Sequence, residues 1–233
     1  MSSPRVDCGR GLVVLLAAAL AMTLVGCASD AGEARGGTGR DLWDVIRVPS
    51  AAEVEHFANL KDMVSSSDLT VVGTVRDVRK GRTFGPVDEP AAQAGSLLVD
   101  VRVDRILAGK LPDPSTSAVS VEFVLPGYTG SQVDVLIKGG DGSGAEPGRL
   151  ILPTGRGIYV LRIKDDRGVE IAPADGEPVG GVFYRPVTSQ GILVDDAGTV
   201  QAPILIPGAE GFVKALIGTD FDALVASLES QDS

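Results

Sequence analysis

Residues 69–75 read LTVVGTV, and residues 97–104 read LLVDVRVD. In both segments every second residue is apolar or glycine, which is the period of a β-strand with one buried face. A loop that contains glycine and proline separates the two segments. They therefore predict two strands of one β-structure.

Further strands are expected along the chain. Segments with a similar alternation lie at residues 119–123, 133–137 and 158–163. Two turn sequences, DDRG at 165–168 and DDAG at 195–198, predict hairpins between short apolar segments. Short strands that recur with turn signals are typical of a single antiparallel β-barrel or of a sandwich.

Helices are predicted on either side of the strands. Residues 50–53, SAAE, match the capping box S-x-x-E, and apolar residues near helical spacing continue to Ser65. An apolar stripe with the spacing i, i+3, i+4, i+7 near the C terminus consists of Phe221, Leu224, Val225 and Leu228. Thr219 with Asp222 is the predicted N-cap pair, and residues 208–218 suggest a shorter helix before it. The expected class is mainly β with an N-terminal and a C-terminal helix.

The segments at residues 67–75, 101–110 and 157–161 also carry a resemblance. Together they are similar to small bacterial extracytoplasmic domains with an oligonucleotide/oligosaccharide-binding (OB) type of barrel. The common pattern is a helix, an apolar-Val-Gly-x-Val strand, a strand that ends in a Leu- and Gly-containing turn, and a Gly-containing strand with Tyr and Leu. The resemblance spans residues 50–205 and implies an OB-like barrel, without catalytic residues.

The N terminus contains the motif Leu24-Val25-Gly26-Cys27. It follows two basic residues, Arg5 and Arg10, and ends an apolar run at residues 11–25, which is shorter than the roughly 20 residues of a membrane-spanning helix. This arrangement resembles the signal peptide and lipobox of bacterial lipoproteins. The resemblance implies cleavage before Cys27 and a diacylglycerol on its sulfur, which anchors the protein on the extracytoplasmic side of the cell membrane. An ordinary cleaved signal peptide is one alternative, and a short membrane-anchor helix is a second, weaker one.

These motifs divide the chain into three parts. Residues 1–26 are the expected signal peptide, residues 27–40 a Gly-rich flexible tether, and residues 41–233 a single β-rich domain. The chain has two cysteines, Cys8 in the signal peptide and Cys27 at the lipid attachment site. The mature domain therefore has no thiol for a disulfide, for catalysis or for metal binding.

Charge and composition restrict the partners. The chain has 21 basic and 31 acidic side chains. Because cleavage would remove Arg5, Arg10 and Asp7, the mature protein would carry a net charge of −11. Nucleic acid is therefore not an expected partner. The aromatic content of 4% also provides few rings for stacking on sugars or bases.

No catalytic or metal-binding residue is predicted. His56 is the only histidine, and no nucleophile motif such as G-x-S-x-G accompanies it. Residues 140–145 match G-x-G-x-x-A, but proline and glycine follow where a dinucleotide site needs a helix. Two carboxylate pairs are interpreted as strand-surface and turn residues: Asp100 with Asp104, and Asp195 with Asp196.

The sequence thus predicts a membrane-anchored lipoprotein whose non-enzymatic β-domain binds a protein, peptide or other envelope component, without a cofactor. One alternative is a carrier that holds an apolar ligand or lipid in a hollow barrel. The other is a hydrolase of unfamiliar kind, which would require His56 or a carboxylate cluster in a pocket with a perturbed pKa.

Overall fold

The computed structural model of the chain describes residues 39–47, 55–139, 148–172 and 181–230. Its strands are β1 (Gly39–Asp41), β2 (Leu69–Lys80), β3 (Thr83–Phe84), β4 (Gly95–Gly109), β5 (Ala118–Leu125), β6 (Gly148–Ile151), β7 (Arg156–Ile163), β8 (Ile171–Ala172), β9 (Phe183–Pro186), β10 (Ile192–Asp196) and β11 (Thr199–Gln201). Its α-helices are α1 (Leu42–Ile46), α2 (Leu60–Ser65), α3 (Gly130–Lys138) and α4 (Phe221–Glu229), and short 3-10 helices lie at Pro90–Ala92, Ser189–Gly191 and Gly211–Ala215.

Several sequence-based expectations lie outside the described residues. They concern the signal peptide, Cys27, nearly all of the tether, the capping box at residues 50–53 and the glycine motif at 140–145. None of the helices in the described ranges combines the length and the apolar character needed to span a bilayer.

A closed five-stranded barrel forms the centre of the fold. Its strands follow the order β2, β4, β5, β9, β7 and back to β2. The contact between β5 and β9 is parallel, and the other contacts are antiparallel. In chain order this is 1-2-3-5-4-1, with α3 between the third and fourth barrel strands, which is the arrangement of an OB-fold. The prediction of an OB-like barrel is confirmed, and the sandwich alternative is not what the chain forms.

Close pairing of the two longest strands curves the barrel wall. β2 pairs with β4 from Leu69 opposite Gly109 to Lys80 opposite Leu97, with three irregularities in register. Such bulges bend a strand and increase its twist. At Gly73 a Cβ atom would collide with the carbonyl oxygen of Arg102, so glycine allows the two backbones to approach.

Apolar side chains fill the barrel interior. Alternate residues of the barrel strands point inward and are buried, as their period of two predicts. Members of this core include Val71, Val75, Val99, Val101, Val121, Phe123, Tyr159, Leu161 and Tyr184. Leu42 and Trp43 of α1 and Val133 of α3 belong to the same core, so these two helices are packed on the barrel.

A second apolar cluster covers the outer side of β2, β7 and β10. It joins side chains of α2, α4 and these strands, including Met63, Val72, Ile158, Val160, Leu193, Phe221, Val225 and Leu228. The predicted C-terminal helix is therefore confirmed, with its apolar stripe against the barrel. Its N-cap is Asp220, whose carboxylate accepts a hydrogen bond from the Ala223 N–H at 2.7 Å, and not Thr219 as expected.

Two element predictions are wrong. Residues 133–137 form part of α3 and not a strand, because Thr129 and Gln132 make a capping box and Val133 and Leu136 share a buried helical face. The helix predicted from residue 50 is α2 and begins only at Leu60, where the Asn59 side chain caps it through the Asp62 N–H. Residues 55–57, which were expected inside that helix, are not helical.

The two predicted hairpins have different outcomes. The turn at 195–198 joins β10 to β11 as expected, with positive φ angles at Ala197 and Gly198. The turn at 165–168 also forms, with Gly168 at φ +76. However, the strand that follows it, β8, pairs with β3 and not with β7, since β9 occupies that end of β7. The expected first hairpin is therefore a segment that leaves the barrel wall.

Candidate functional site

The outer face of β4 and β5 is where an OB-fold usually binds its ligand, between the loops that join strands 1 to 2 and strands 4 to 5. Here these loops are residues 81–94, between β2 and β4, and residues 164–182, of which 164–172 and 181–182 are described. Pairing through β4 and through β9 places the ends of β2 and β7 level with residues 121–123 of β5, so both loops begin beside the same part of this strand. They meet where β3 pairs with β8, and we call residues 81–94 and 164–172 the flap.

Four ionised side chains, which we call the ion cluster, connect the flap to β5. Glu122 is on the outer face of β5, and its side chain is fully buried. Its carboxylate accepts hydrogen bonds from Lys164 Nζ at 2.8 Å and from the Arg82 guanidinium and backbone N–H. Arg82 also pairs with Asp166 at 2.6 Å. The Ser96 hydroxyl lies 2.8 Å from Glu122 Oε1 and 2.8 Å from the Arg82 carbonyl oxygen, and it donates to one of them at a time.

Two aromatic rings enclose the cations of the ion cluster. The Arg82 guanidinium carbon lies 4.5 Å from the centre of the Phe183 ring and 5.2 Å from that of Phe84. The Lys164 nitrogen lies 3.8 Å from the Phe84 ring centre. At these distances the ring faces attract the cations. The rings are therefore occupied by the chain's own side chains.

The electrostatics of the cluster keep its central carboxylate ionised. Burial acts to raise the pKa of Glu122, but hydrogen bonds from Arg82, Lys164 and Ser96 outweigh it and lower the pKa to about 2. Burial lowers the pKa of Lys164, and the Glu122 carboxylate opposes that change. Glu122 is thus a poor general base near neutral pH.

The contacts of the ion cluster are those of a structural link between the flap and the barrel. It pairs two cations with two carboxylates, and three of the four side chains are at most 13% exposed. Among the described residues, Asp166 Oδ1 and Gln190 Oε1 are buried side-chain oxygens without a hydrogen-bond partner. Asp166 Oδ1 is therefore the one buried side-chain atom of the described cluster without a hydrogen-bond partner.

The members of the two carboxylate pairs named in the sequence analysis each have partners of their own. Asp100 accepts hydrogen bonds from Arg79 and from the Ser120 hydroxyl, and Asp104 accepts from Arg102 and Thr74. Asp195 pairs with Arg156 at 2.8 Å, while Asp196 belongs to the turn of the second hairpin. The structure therefore does not bring either pair together around a common partner.

The histidine considered in the sequence lies at the surface. His56 is exposed and directly follows Glu55, whose carboxylate bridges Arg162 and Arg185 at 2.6 and 3.5 Å. This bridge joins the segment before α2 to strands β7 and β9. No hydrolase site is assembled around His56 by these contacts.

The ion cluster was not predicted from the sequence. Glu122 occupies a polar position of an alternating strand, and its partners Arg82 and Lys164 are 40 and 42 residues away in loops. The spacing of these residues in the sequence does not predict their contact, because the contact depends on how both loops pass over the barrel. The one available signal is a cation near the start of each loop, Arg82 at the second position of one and Lys164 at the first position of the other.

Other kinds of site have less support. In the part of the chain that the structure describes, no three His, Cys, Asp or Glu side chains are grouped as metal ligands would be. An open groove of about 260 Å³ lies between α2, the end of β4 and α4, and is lined in part by Lys61, Val64, Leu107 and Leu228.

The chain matches no protein-family model, no curated protein and no solved structure, so the functional argument depends on its own geometry.

Proposed function

We propose that the chain is a bacterial lipoprotein, anchored through Cys27 on the extracytoplasmic side of the cell membrane, whose barrel is a non-enzymatic module that binds an envelope protein or peptide. One observation supports this function best. The part of the usual OB-fold ligand face around Glu122 is covered by the flap and its ion cluster, so the flap is what a partner meets there.

This covered face makes a groove-bound oligomer a poor candidate. OB-folds that bind single-stranded nucleic acid offer accessible aromatic rings and a positively charged groove. In this protein Phe84 and Phe183 are buried against Arg82 and Lys164, and the net charge is negative. A protein surface or peptide requires neither feature.

The two alternatives have weaker support. Apolar side chains occupy the interior of the described barrel, so an internal lipid would have to displace packed core residues. The surface groove of about 260 Å³ is below the usual size of small-molecule sites, about 300–1,000 Å³. A hydrolase would need an available base, whereas Glu122 is ionised and fully paired and His56 is at the surface.

The proposed anchor explains how such a module stays on its membrane. Each buried methylene of an acyl chain contributes about 0.8 kcal/mol, and two chains anchor a protein stably where one does not. Gly39 and Arg40 belong to β1, so the proposed tether is residues 28–38, and a flexible chain of that length spans about 20 Å on average. The barrel could then reach partners at the membrane surface and rotate freely.

The anchor is tested by growing the host with a fatty-acid probe and isolating the full-length protein. We expect wild type and a Cys8→Ser control to be labelled and to sediment with membranes. Cys27→Ser should lose the label and appear in the soluble fraction. Labelling that survives Cys27→Ser would overturn the proposed anchor.

The binding function is tested by short-range chemical crosslinking of the membrane-anchored protein, followed by mass spectrometry. We expect one reproducible protein adduct, and native mass spectrometry of the detergent-purified protein should show no lipid beyond the anchor. A second lipid of fixed mass, retained without a protein adduct, would favour the carrier function instead.

A further inference from the structure

The flap carries exposed apolar side chains close together. Val87, Val169 and Ile171 are 54%, 47% and 36% exposed, and we call them the loop patch. Glu170 holds their segments side by side, because its carbonyl oxygen accepts from the Gly85 N–H at 2.9 Å and its side chain accepts from the Val87 N–H at 3.1 Å. Single exposed apolar residues are ordinary, whereas a group of them often marks an interaction site.

The loop patch rests on a fixed base. Ile171 is paired with Phe84 across the β3–β8 ladder, and the Phe84 ring lies on Lys164 of the ion cluster. The flap is thereby joined to Glu122 of the barrel wall. A surface that is already ordered loses less conformational entropy when it binds a partner.

Carboxylates surround the loop patch. Asp88, Glu89 and Glu170 are exposed and lie next to its residues in the chain. Among the described residues, none of these three carboxylates forms an ion pair with a cation. The nearby Asp165 differs, since it is paired with Arg167 at 2.6 Å. The patch is therefore apolar at its centre and negative at its rim.

From this combination we infer that the loop patch docks a segment of a partner protein in which an apolar side chain is flanked by lysine or arginine residues. The inference rests on the proposed binding function and names its surface. Complementary charge favours a basic segment, and like charge disfavours two other occupants. These are the anionic surface of the membrane and the loop patch of a second copy of this chain.

The test places a photo-crosslinking amino acid at Val169 of the full-length protein in its own membranes, with Ser227 on α4 as the matched exposed control position. We expect an adduct from position 169 and none from 227, and the crosslinked partner peptide should be basic. The adduct yield should fall about fivefold or more when Asp88→Asn is combined with Glu89→Gln. It should fall similarly in 0.5 M salt, because the Debye screening length is then about 4 Å. Val87→Ser should lower it too, whereas Val135→Ser, at an exposed valine of α3, should not.

Other outcomes would overturn this inference. An adduct with lipid, with a second copy of the chain or with a neutral or acidic peptide would show that the occupant is a different one. A partner adduct from position 227 but not from 169 would leave the binding function standing and refute the loop patch as its surface. Adducts from neither position, together with no partner in the short-range crosslinking experiment, would refute the binding function as well.

Discussion

The barrel wall is covered on two sides by different chemistry. On the side of β2, β7 and β10, the helices α2 and α4 bury an apolar cluster that includes Met63, Phe221 and Leu228. On the side of β4 and β5, the flap is joined to the wall by the ion cluster around Glu122. The first cover depends on buried area, which many side chains share. The second depends on complementary charges, each of which has a specific partner.

The two covers differ in how they respond when one side chain is changed. When one apolar side chain is shortened, the remaining contacts persist and the surrounding structure partly relaxes. When one member of a buried ion pair is removed, its partner stays buried without compensation. The covers should therefore respond differently to single substitutions, to acid and to salt.

Glu122→Gln is expected to have the largest effect. It removes the carboxylate that both Arg82 and Lys164 contact, and breaking a buried pair typically costs about 3–5 kcal/mol of unfolding free energy. Urea titration of the wild type and the variant measures this loss. A loss below about 1 kcal/mol would show that water compensates these cations and that the ion cluster is not desolvated.

A combined variant sharpens this result. Replacing the cluster with uncharged residues, as Arg82→Met, Glu122→Leu, Lys164→Met and Asp166→Asn, removes all four charges together. Because packed apolar groups often substitute for buried ion pairs without loss, we expect it to recover most of the stability that Glu122→Gln loses. No recovery would mean that the geometry of the hydrogen bonds, and not the pairing of charge, holds the flap.

Leu228→Ala tests the apolar cover and should cost about 2–3 kcal/mol, because it removes a buried leucine of α4 beside an open groove. Urea titration measures it, with Ser227→Ala as an exposed control on the same helix. Amide hydrogen exchange of the flap should remain as in the wild type. Faster exchange at residues 83–84 would contradict the independence of the two covers.

The apolar cover was largely predictable and the ionic cover was not. The stripe of Phe221, Leu224, Val225 and Leu228 is a local pattern, so it predicts both the helix and its buried face. The alternation in β2 and β4 likewise predicts the barrel core. In contrast, Glu122 has the pattern of an ordinary surface residue, and its burial results from two loops, distant in sequence, that meet over β5.

Local ambiguity accounts for the wrong strand at residues 133–137, and tertiary pairing accounts for the wrong first hairpin. Residues 133–137, VDVLI, suit a strand by alternation and a helix by the i, i+3 spacing of Val133 and Leu136. The capping box at Thr129 and Gln132 favours the helix, and it was the signal to use. For the segment after residue 168, the predicted turn is correct. The strand with which this segment pairs depends on tertiary structure, which the local sequence pattern does not specify.

Acid should act more on the ionic cover than on the apolar one. The pKa of Glu122 is lowered from 4.5 to about 2 on folding. Its contribution to stability is therefore complete above about pH 4.5 and is lost as the pH falls toward 2. The urea midpoint of the wild type should decline in this interval, and that of Glu122→Gln should decline less. Leu228→Ala should keep the pH dependence of the wild type, and an equal slope in all three would contradict the assignment to Glu122.

The smallest effect is expected from Asp165→Asn, although the pKa of Asp165 is also lowered to about 2 by its hydrogen bonds with Arg167. Both side chains of this pair are more than half exposed, so water and salt can replace the interaction. The neighbouring Asp166 is less exposed and bonds to Arg82 inside the cluster. The urea midpoint should therefore stay within error for Asp165→Asn and fall measurably for Asp166→Asn, and 0.5 M salt should not remove that difference. Equal losses in the two variants would mean that burial does not distinguish the ion cluster from an ordinary surface pair, and the contrast between the two covers would then lose its physical basis.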